Sequence, residues 1–210
     1  DGRIKRQMKT AFIYSDRFGA FHYGPDHPMR PARLRLTFDL LTELGLINLP
    51  SSSVVPARQA VENELLLFHT SPYLRVLRES NTGVIPVKGP EHGIGYGDNP
   101  AWRGVFEWSC YSAGASIQAA EHILSGEADI AFNIAGGLHH AMPGRASGFC
   151  YINDAVVAIR HLVNMGKRVA YVDIDAHHGD GVEYAFYDSN KVLTISLHES
   201  GQWLFPGTGF

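Results

Sequence analysis

Residues 171–181 read Tyr-Val-Asp-Ile-Asp-Ala-His-His-Gly-Asp-Gly, an apolar run that ends in carboxylates and imidazoles. Asp173, Asp175 and His177 stand at every second position. A strand turns successive side chains to opposite faces, so these three start on one face and converge. Carboxylate oxygen with imidazole nitrogen is a donor set for a borderline divalent cation such as zinc. A second segment, Gly136-Gly137-Leu138-His139-His140-Ala141, sets two imidazoles after paired glycines, which let the backbone turn sharply and approach a ligand. Adjacent histidines cannot face the same way on regular structure, so His139 and His140 would serve different partners. A metal-activated water needs a base to take its proton and an acid to protonate the leaving group. Histidine is the side chain best matched to both tasks near neutral pH. Asp173 and Asp180 are the carboxylates placed to orient the imidazoles and raise their basicity.

The elements that must position these groups alternate along the chain. Strands are expected over 10–15, 129–135, 168–174 and 192–198, and helices over 31–44, 71–79, 102–124, 153–165 and 180–187. Pro31 and Gly45 bracket the first helix, and the second has Ser71 as its cap and Pro72 at its first position. Residues 81–99, rich in Gly and Pro, read as a long surface loop, and long loops in compact domains are often functional. The 168–174 strand is apolar on both faces, as in the middle of a parallel sheet. Strands separated by helices give an α/β fold with a mostly parallel, doubly wound sheet flanked by helices. Ligands in such folds bind beyond the carboxyl ends of the strands, and both chemical segments fall there.

With 210 residues, 45% of them hydrophobic, the chain can bury a substantial core as one domain over 1–210. A net charge of -3 argues against direct nucleic-acid binding. Two cysteines, Cys110 and Cys150, do not make a disulfide framework and point to a reducing compartment. Cys150 reads as a small buried hydrophobe rather than a nucleophile. No segment approaches the ~20 apolar residues of a membrane span, so a cytoplasmic protein with no membrane partner is expected.

Five strings together resemble the histone deacetylase family, including its bacterial acetoin-utilisation and acetylpolyamine-amidohydrolase branches. They are His27-Pro28-Met29-Arg30-Pro31-Ala32-Arg33, the 136–141 loop, Gly148-Phe149-Cys150-Tyr151-Ile152-Asn153-Asp154, the 173–181 run, and Ser196-Leu197-His198 followed by Phe205-Pro206-Gly207-Thr208-Gly209. They occur in the family's order and cover nearly the whole chain. The resemblance implies an arginase/deacetylase-like fold and hydrolysis of an acetylated lysine, in a peptide or protein, or of an acetylpolyamine. It implies zinc on Asp175 and His177, with iron(II) as the other suitable cation. His140 would be the general base with Asp180 behind it, and His139, paired with Asp173, its electrostatic neighbour. Phe149 and Phe205 would wall a tunnel for a methylene stem, near the Gly148 backbone. Asp98 would bind substrate backbone at the rim, and Arg33 would lie in an internal cavity for acetate release. Asp173, Asp175, His177, Ser196 and Leu197 resemble the family's structural potassium site, and Phe186, Ser189 and Val192 part of a second one.

Blander roles stand beside these. Asp98 could cap a helix starting near Pro100, Phe149 and Phe205 could be ordinary core, and Arg33 could be a surface or ion-paired residue. The family also supplies a third zinc ligand, an aspartate, and an oxyanion-stabilising tyrosine from sequence beyond the last motif. This chain stops at Phe210. The expectation is therefore the N-terminal part of a catalytic domain, incomplete at its C-terminus and inactive in isolation. The alternatives are a catalytically incomplete acyl-lysine-binding protein and a manganese ureohydrolase resembling arginase.

Overall fold

The computed structural model describes residues 7–95 and 97–210. Its strands are β1 (Thr10–Tyr14), β2 (Ser52–Pro56), β3 (Ile130–Asn133), β4 (Val169–Asp173) and β5 (Val192–Ser196). Its α-helices are α1 (Ala32–Glu43), α2 (Glu62–Leu65), α3 (Ser71–Glu79), α4 (Val105–Ser125), α5 (Asp154–Asn164) and α6 (Asp180–Phe186). Every strand pairing is parallel, in the order β2-β1-β3 in one sheet and β4-β5 in the other. This is the parallel α/β architecture expected from the alternation of patterns.

β1 is the central strand of its sheet and is buried from Ala11 to Tyr14, because helices cover both of its faces. Phe12 and Tyr14 face α1, whose Phe38 stacks on Tyr14 with ring centroids 3.7 Å apart. Ala11 and Ile13 point the other way, toward α4. α4 carries small buried residues, Ala113, Gly114 and Ala115, which let it pack closely against its neighbours. α5 lies against α4 and presents Val156, Val157 and Ile159 to the core. Among the described residues, no helix is long and apolar enough to cross a membrane.

Several elements depart from the sequence expectation. β2 was not expected, because Ser-Ser-Val-Val-Pro has no alternating apolar face. It is an edge strand held by its backbone ladder to β1, with proline at its end where no further donor is needed. The four-residue α2 was too short to show a period. α4 begins at Val105 rather than at 102, because Gly104 takes a left-handed φ of 96° at its cap. β3 stops at Asn133, whose side chain accepts from Ala135 N–H and draws the chain out of the ladder. Thr70, not Ser71, is the N-cap of α3. β4 is not the fully covered strand its composition suggested. Among the described residues it pairs with β5 alone, and Val172 and Ile174 are exposed.

Candidate active site

Two loops leave the carboxyl ends of β3 and β4 and meet. On the first, His139 pairs through Nδ1 with Asp173 Oδ2 at 2.6 Å, and His140 through Nδ1 with Asp180 Oδ1 at 2.7 Å. The two imidazoles, 4.0 Å apart between centroids, thus take different carboxylates, from β4 and from the first turn of α6. Both histidines are buried. With each Nδ1–H donated to a carboxylate, Nε2 is the nitrogen left to accept a proton.

Asp173 is the hub of this cluster. It also accepts from Tyr171 Oη at 2.6 Å and from the Asp175 amide at 3.0 Å. Burial works against its ionised form, but the bonds from His139, Tyr171 and the Asp175 amide outweigh that and lower its pKa to about 2. Burial likewise opposes charge on His139. The Asp173 hydrogen bond, with the negative charges of Asp173, Asp175 and Asp180, prevails and raises its pKa. Tyr171, two residues before Asp173 and therefore on the same face of β4, was given no role from sequence. The alternation that placed Asp175 and His177 with Asp173 also applies to it.

Asp175 and His177 lie where the β4 loop enters the cleft, with side chains 52% and 40% exposed. Asp175 Oδ1 and His177 Nδ1 are 2.9 Å apart, and the His177 amide donates to the same carboxylate oxygen at 2.8 Å. Zinc binds oxygen and nitrogen donors at about 2.0–2.2 Å, so one cation can touch both atoms. His139 Nε2 is 4.0 Å from Asp175 Oδ1, which sets the imidazole pair beside that position. The donor set fits as part of a metal site. Among the described residues no group of three or more His, Cys, Asp or Glu side chains is placed to hold a metal.

The cluster forms the floor of a cleft of about 1040 Å³. Phe149 and Phe205 line it, with Gly148 between Phe205 and His140. The Phe205 ring meets His140 edge-on at 4.9 Å. A Cβ on Gly148 would stand 2.5 Å from His140 Cδ2 and 2.7 Å from Phe205 Cε1, so glycine is required for this approach. Phe205 is 41% exposed, and Phe149 is half-buried and packs against the core.

Phe149 takes a φ of 70°, a left-handed conformation unusual for an aromatic residue. Tyr23 Oη donates to its carbonyl at 3.0 Å, and the His27 ring packs edge-on against it at 4.7 Å while stacking on Tyr23. His27 Nε2 also lies 3.1 Å from the Asp98 carbonyl, tying this wall to the rim. Asp98 lines the cleft and caps no helix, since α4 starts at Val105 behind Gly104. Arg33 lines the cleft from α1, its Nη2 lying 3.6 Å from Met29 Sδ. Tyr23 was not singled out from sequence, and His27 only as the first residue of a matching string with no role of its own, because both reach Phe149 across more than 120 residues of chain.

The residues matched to potassium sites fall in two places. Leu197 N–H donates to the Asp173 carbonyl at 2.9 Å, and Ser196 Oγ pairs with His198 Nδ1 at 2.7 Å, at the carboxyl ends of β4 and β5. Phe186, Ser189 and Val192 lie in the connection from α6 to the opposite end of β5, where Ser189 N–H donates to the Phe186 carbonyl at 2.9 Å.

Comparison with known proteins identifies the family and the fold. Residues 27–210 match the family described as the histone deacetylase domain. The chain is 41% identical over 202 residues to the acetoin utilization protein AcuC of Bacillus subtilis, covering 95% of this chain and 52% of that protein. It is 41% identical over 206 residues to histone deacetylase 1 of Homo sapiens, covering 97% of this chain and 42% of that one. Among solved structures, an HDAC homologue from Aquifex aeolicus superposes with a TM-score of 0.87 at 40% identity, over 96% of this chain and 54% of its own. An HDAC homologue complexed with SAHA superposes with a TM-score of 0.86 at 39% identity, over 97% of this chain and 55% of its own. The chain spans about half the length of the curated relatives it matches.

Proposed function

Because the chain belongs to the histone deacetylase domain family, we propose that residues 1–210 form part of a single catalytic domain that hydrolyses an acetylated amine to acetate and a free amine. The observation that carries this is the pair of buried His–Asp couples, His139–Asp173 at 2.6 Å and His140–Asp180 at 2.7 Å, flanking Asp175 and His177 on the floor of an aromatic-walled cleft.

Asp175 Oδ1 and His177 Nδ1 would hold zinc, with iron(II) as the other suitable cation. A cation there, when bound, polarises an amide carbonyl and acidifies water. His140, with Nδ1 fixed by Asp180, accepts the proton of the attacking water on Nε2. The C–O bond forms first, giving a tetrahedral intermediate, and the proton then passes to the nitrogen as the C–N bond breaks, releasing acetate and the amine. His139, paired through Nδ1 with Asp173, is the electrostatic neighbour of His140, and the negative charge of Asp173 favours its protonated form. Phe149 and Phe205 exclude water and admit a slim methylene stem, which suits an acetyl-lysine side chain in a peptide or protein, or an acetylpolyamine. Asp98 holds the substrate backbone at the rim, and Arg33 draws acetate away. Potassium at Asp173, Asp175, His177, Ser196 and Leu197, and at Phe186, Ser189 and Val192, would brace the β4–β5 ends. Cys110 and Cys150, both free and buried, suit the cytoplasm.

Catalytic zinc sites use three protein ligands, and among the described residues Asp175 and His177 supply two. The two-ligand set favours a second reading, a protein that binds acyl-lysine without cleaving it. The ureohydrolase alternative is set aside, since the family shown is that of the deacetylases.

The test is acetate release from an acetyl-lysine peptide by the full-length natural protein, before and after chelation. Turnover that chelation abolishes and zinc restores is expected, with His140→Ala lowering kcat by about 10²-fold or more. Near-wild-type turnover in that variant would remove the base. Tight peptide binding with no turnover in the unaltered protein would establish the binding reading instead.

A further inference from the structure

Asn153 and Asp154 play no part in the chemistry described above, yet both are almost wholly buried against the His139–His140 loop. We propose that Asp154 is a positioning residue, whose carboxylate holds the backbone of residues 136–141 so that His139 and His140 are aimed at the cleft floor. This rests on His140 being the base. Asp154 Oδ1 accepts the Leu138 amide at 2.8 Å, and Oδ2 accepts the Gly137 amide at 3.2 Å and the Ser116 hydroxyl at 2.5 Å. Only 2% of the residue is exposed. Asn153 grips the other half of the loop, with Nδ2 donating to the carbonyls of His139 at 3.0 Å and Ala141 at 3.1 Å. Its own amide is held by His69 Nε2 at 3.0 Å. The dipeptide therefore contacts three consecutive loop residues, Gly137, Leu138 and His139, and Ala141 beyond His140, through their backbone groups.

The fit is close. A Cβ on Gly136 would stand 2.5 Å from Asp154 Oδ2 and 3.0 Å from both Asn133 Nδ2 and Ser116 Oγ. Burial raises the pKa of Asp154, while the bonds from Ser116, Leu138 and Gly137 work in the other direction. A carboxylate in the first turn of α5 also suits the positive end of that helix, a purely structural role. The two roles make different demands. Helix stabilisation needs only negative charge, whereas positioning needs two acceptor oxygens facing three donors. Asparagine keeps the shape but only one acceptor, and Ser116 Oγ already accepts from Asn133 Nδ2 at 2.9 Å, so one loop amide loses its partner.

The experiment compares Asp154→Asn in the wild-type and His140→Ala backgrounds of the full-length protein. It measures kcat, KM and amide hydrogen exchange at Gly137 and Leu138. A base displaced by about 1 Å loses roughly 10²-fold. The expected result is therefore kcat lowered by about 10²-fold with KM changed less than about 3-fold, faster exchange at both amides, and less than about 3-fold further loss in the His140→Ala background. Equal proportional losses in both backgrounds, or an unchanged kcat in the folded variant, would overturn the proposal. If Asp154→Asn does not fold, Ser116→Ala removes one donor to the same carboxylate. It should lower kcat by about 10-fold with the same dependence on His140, and an unchanged kcat would again overturn the proposal. If His140→Ala itself leaves turnover near wild type, the reading of the base fails, and unaltered exchange at Gly137 and Leu138 would then reject Asp154 as well.

Discussion

Gly148→Ala tests how tightly the aromatic wall is fitted to the base. The added Cβ would lie 2.5 Å from His140 Cδ2, 2.7 Å from Phe205 Cε1 and 2.9 Å from His140 Cγ. Ordinary carbon contacts need about 3.5–4.0 Å, so the imidazole, the ring or the loop must retreat by about 1 Å. Gly148 also has a φ of 50°, where a Cβ adds about 1–2 kcal/mol of strain. His140 is held by a single 2.7 Å bond to Asp180, so the retreat falls partly on the proton-accepting nitrogen. A 1 Å error at a reacting group is worth about 10²-fold, or about 2.7 kcal/mol in the barrier. Steady-state turnover of an acetyl-lysine peptide, with a thermal melt to follow folding, separates the two effects. The expected result is stability lower by about 1–2 kcal/mol and kcat/KM down about 10²-fold. A folded variant with kcat/KM within about twofold of wild type would show that Gly148 does not press on His140 and that the wall is not tight.

His69 is buried beneath the same loop, and burial lowers its pKa from 6.5 to about 4. Its folded pKa lies below its unfolded one, so its stabilisation is complete above about pH 6.5 and is lost as pH falls toward 4. That loss amounts to roughly 3 kcal/mol, to be measured by denaturant unfolding against His69→Gln, which keeps an acceptor but does not titrate. A pH dependence identical in the two proteins would contradict it. Asp180→Asn should lower kcat by about 10²-fold with KM little changed, since the amide no longer fixes the proton on His140 Nδ1. A kcat within about twofold of wild type would separate Asp180 from the base.

The sequence displayed the site more openly than the scaffold that aims it. The spacing of Asp173, Asp175 and His177 pointed to the right segment, but β4 ends at Asp173 and the other two lie in the loop beyond it, where no strand period applies. His139 and His140 announced divergent roles by their adjacency. β1 was legible as a short apolar run and α4 as a long helical segment, whereas Ser-Ser-Val-Val-Pro in β2 is a strand only through the β1 ladder. The contacts that fix the site join residues far apart in the chain, and no local pattern reveals them. Tyr23 reaches the Phe149 carbonyl, and His69 reaches the Asn153 amide. Asp154 closed a matching string but was given no role from sequence, because its loop partners precede it by 16 and 17 residues. β4 looked like a central strand from composition, and its exposed Val172 and Ile174 show how the described residues leave one of its sides bare.

Zinc titrated into the protein, with the ion then located by anomalous diffraction, tests the central claim most directly. One ion is expected within bonding distance of both Asp175 Oδ1 and His177 Nδ1, beside the His139–His140 pair, with binding abolished in Asp175→Ala/His177→Ala. Zinc seated elsewhere, or bound equally well by that double variant, would contradict it.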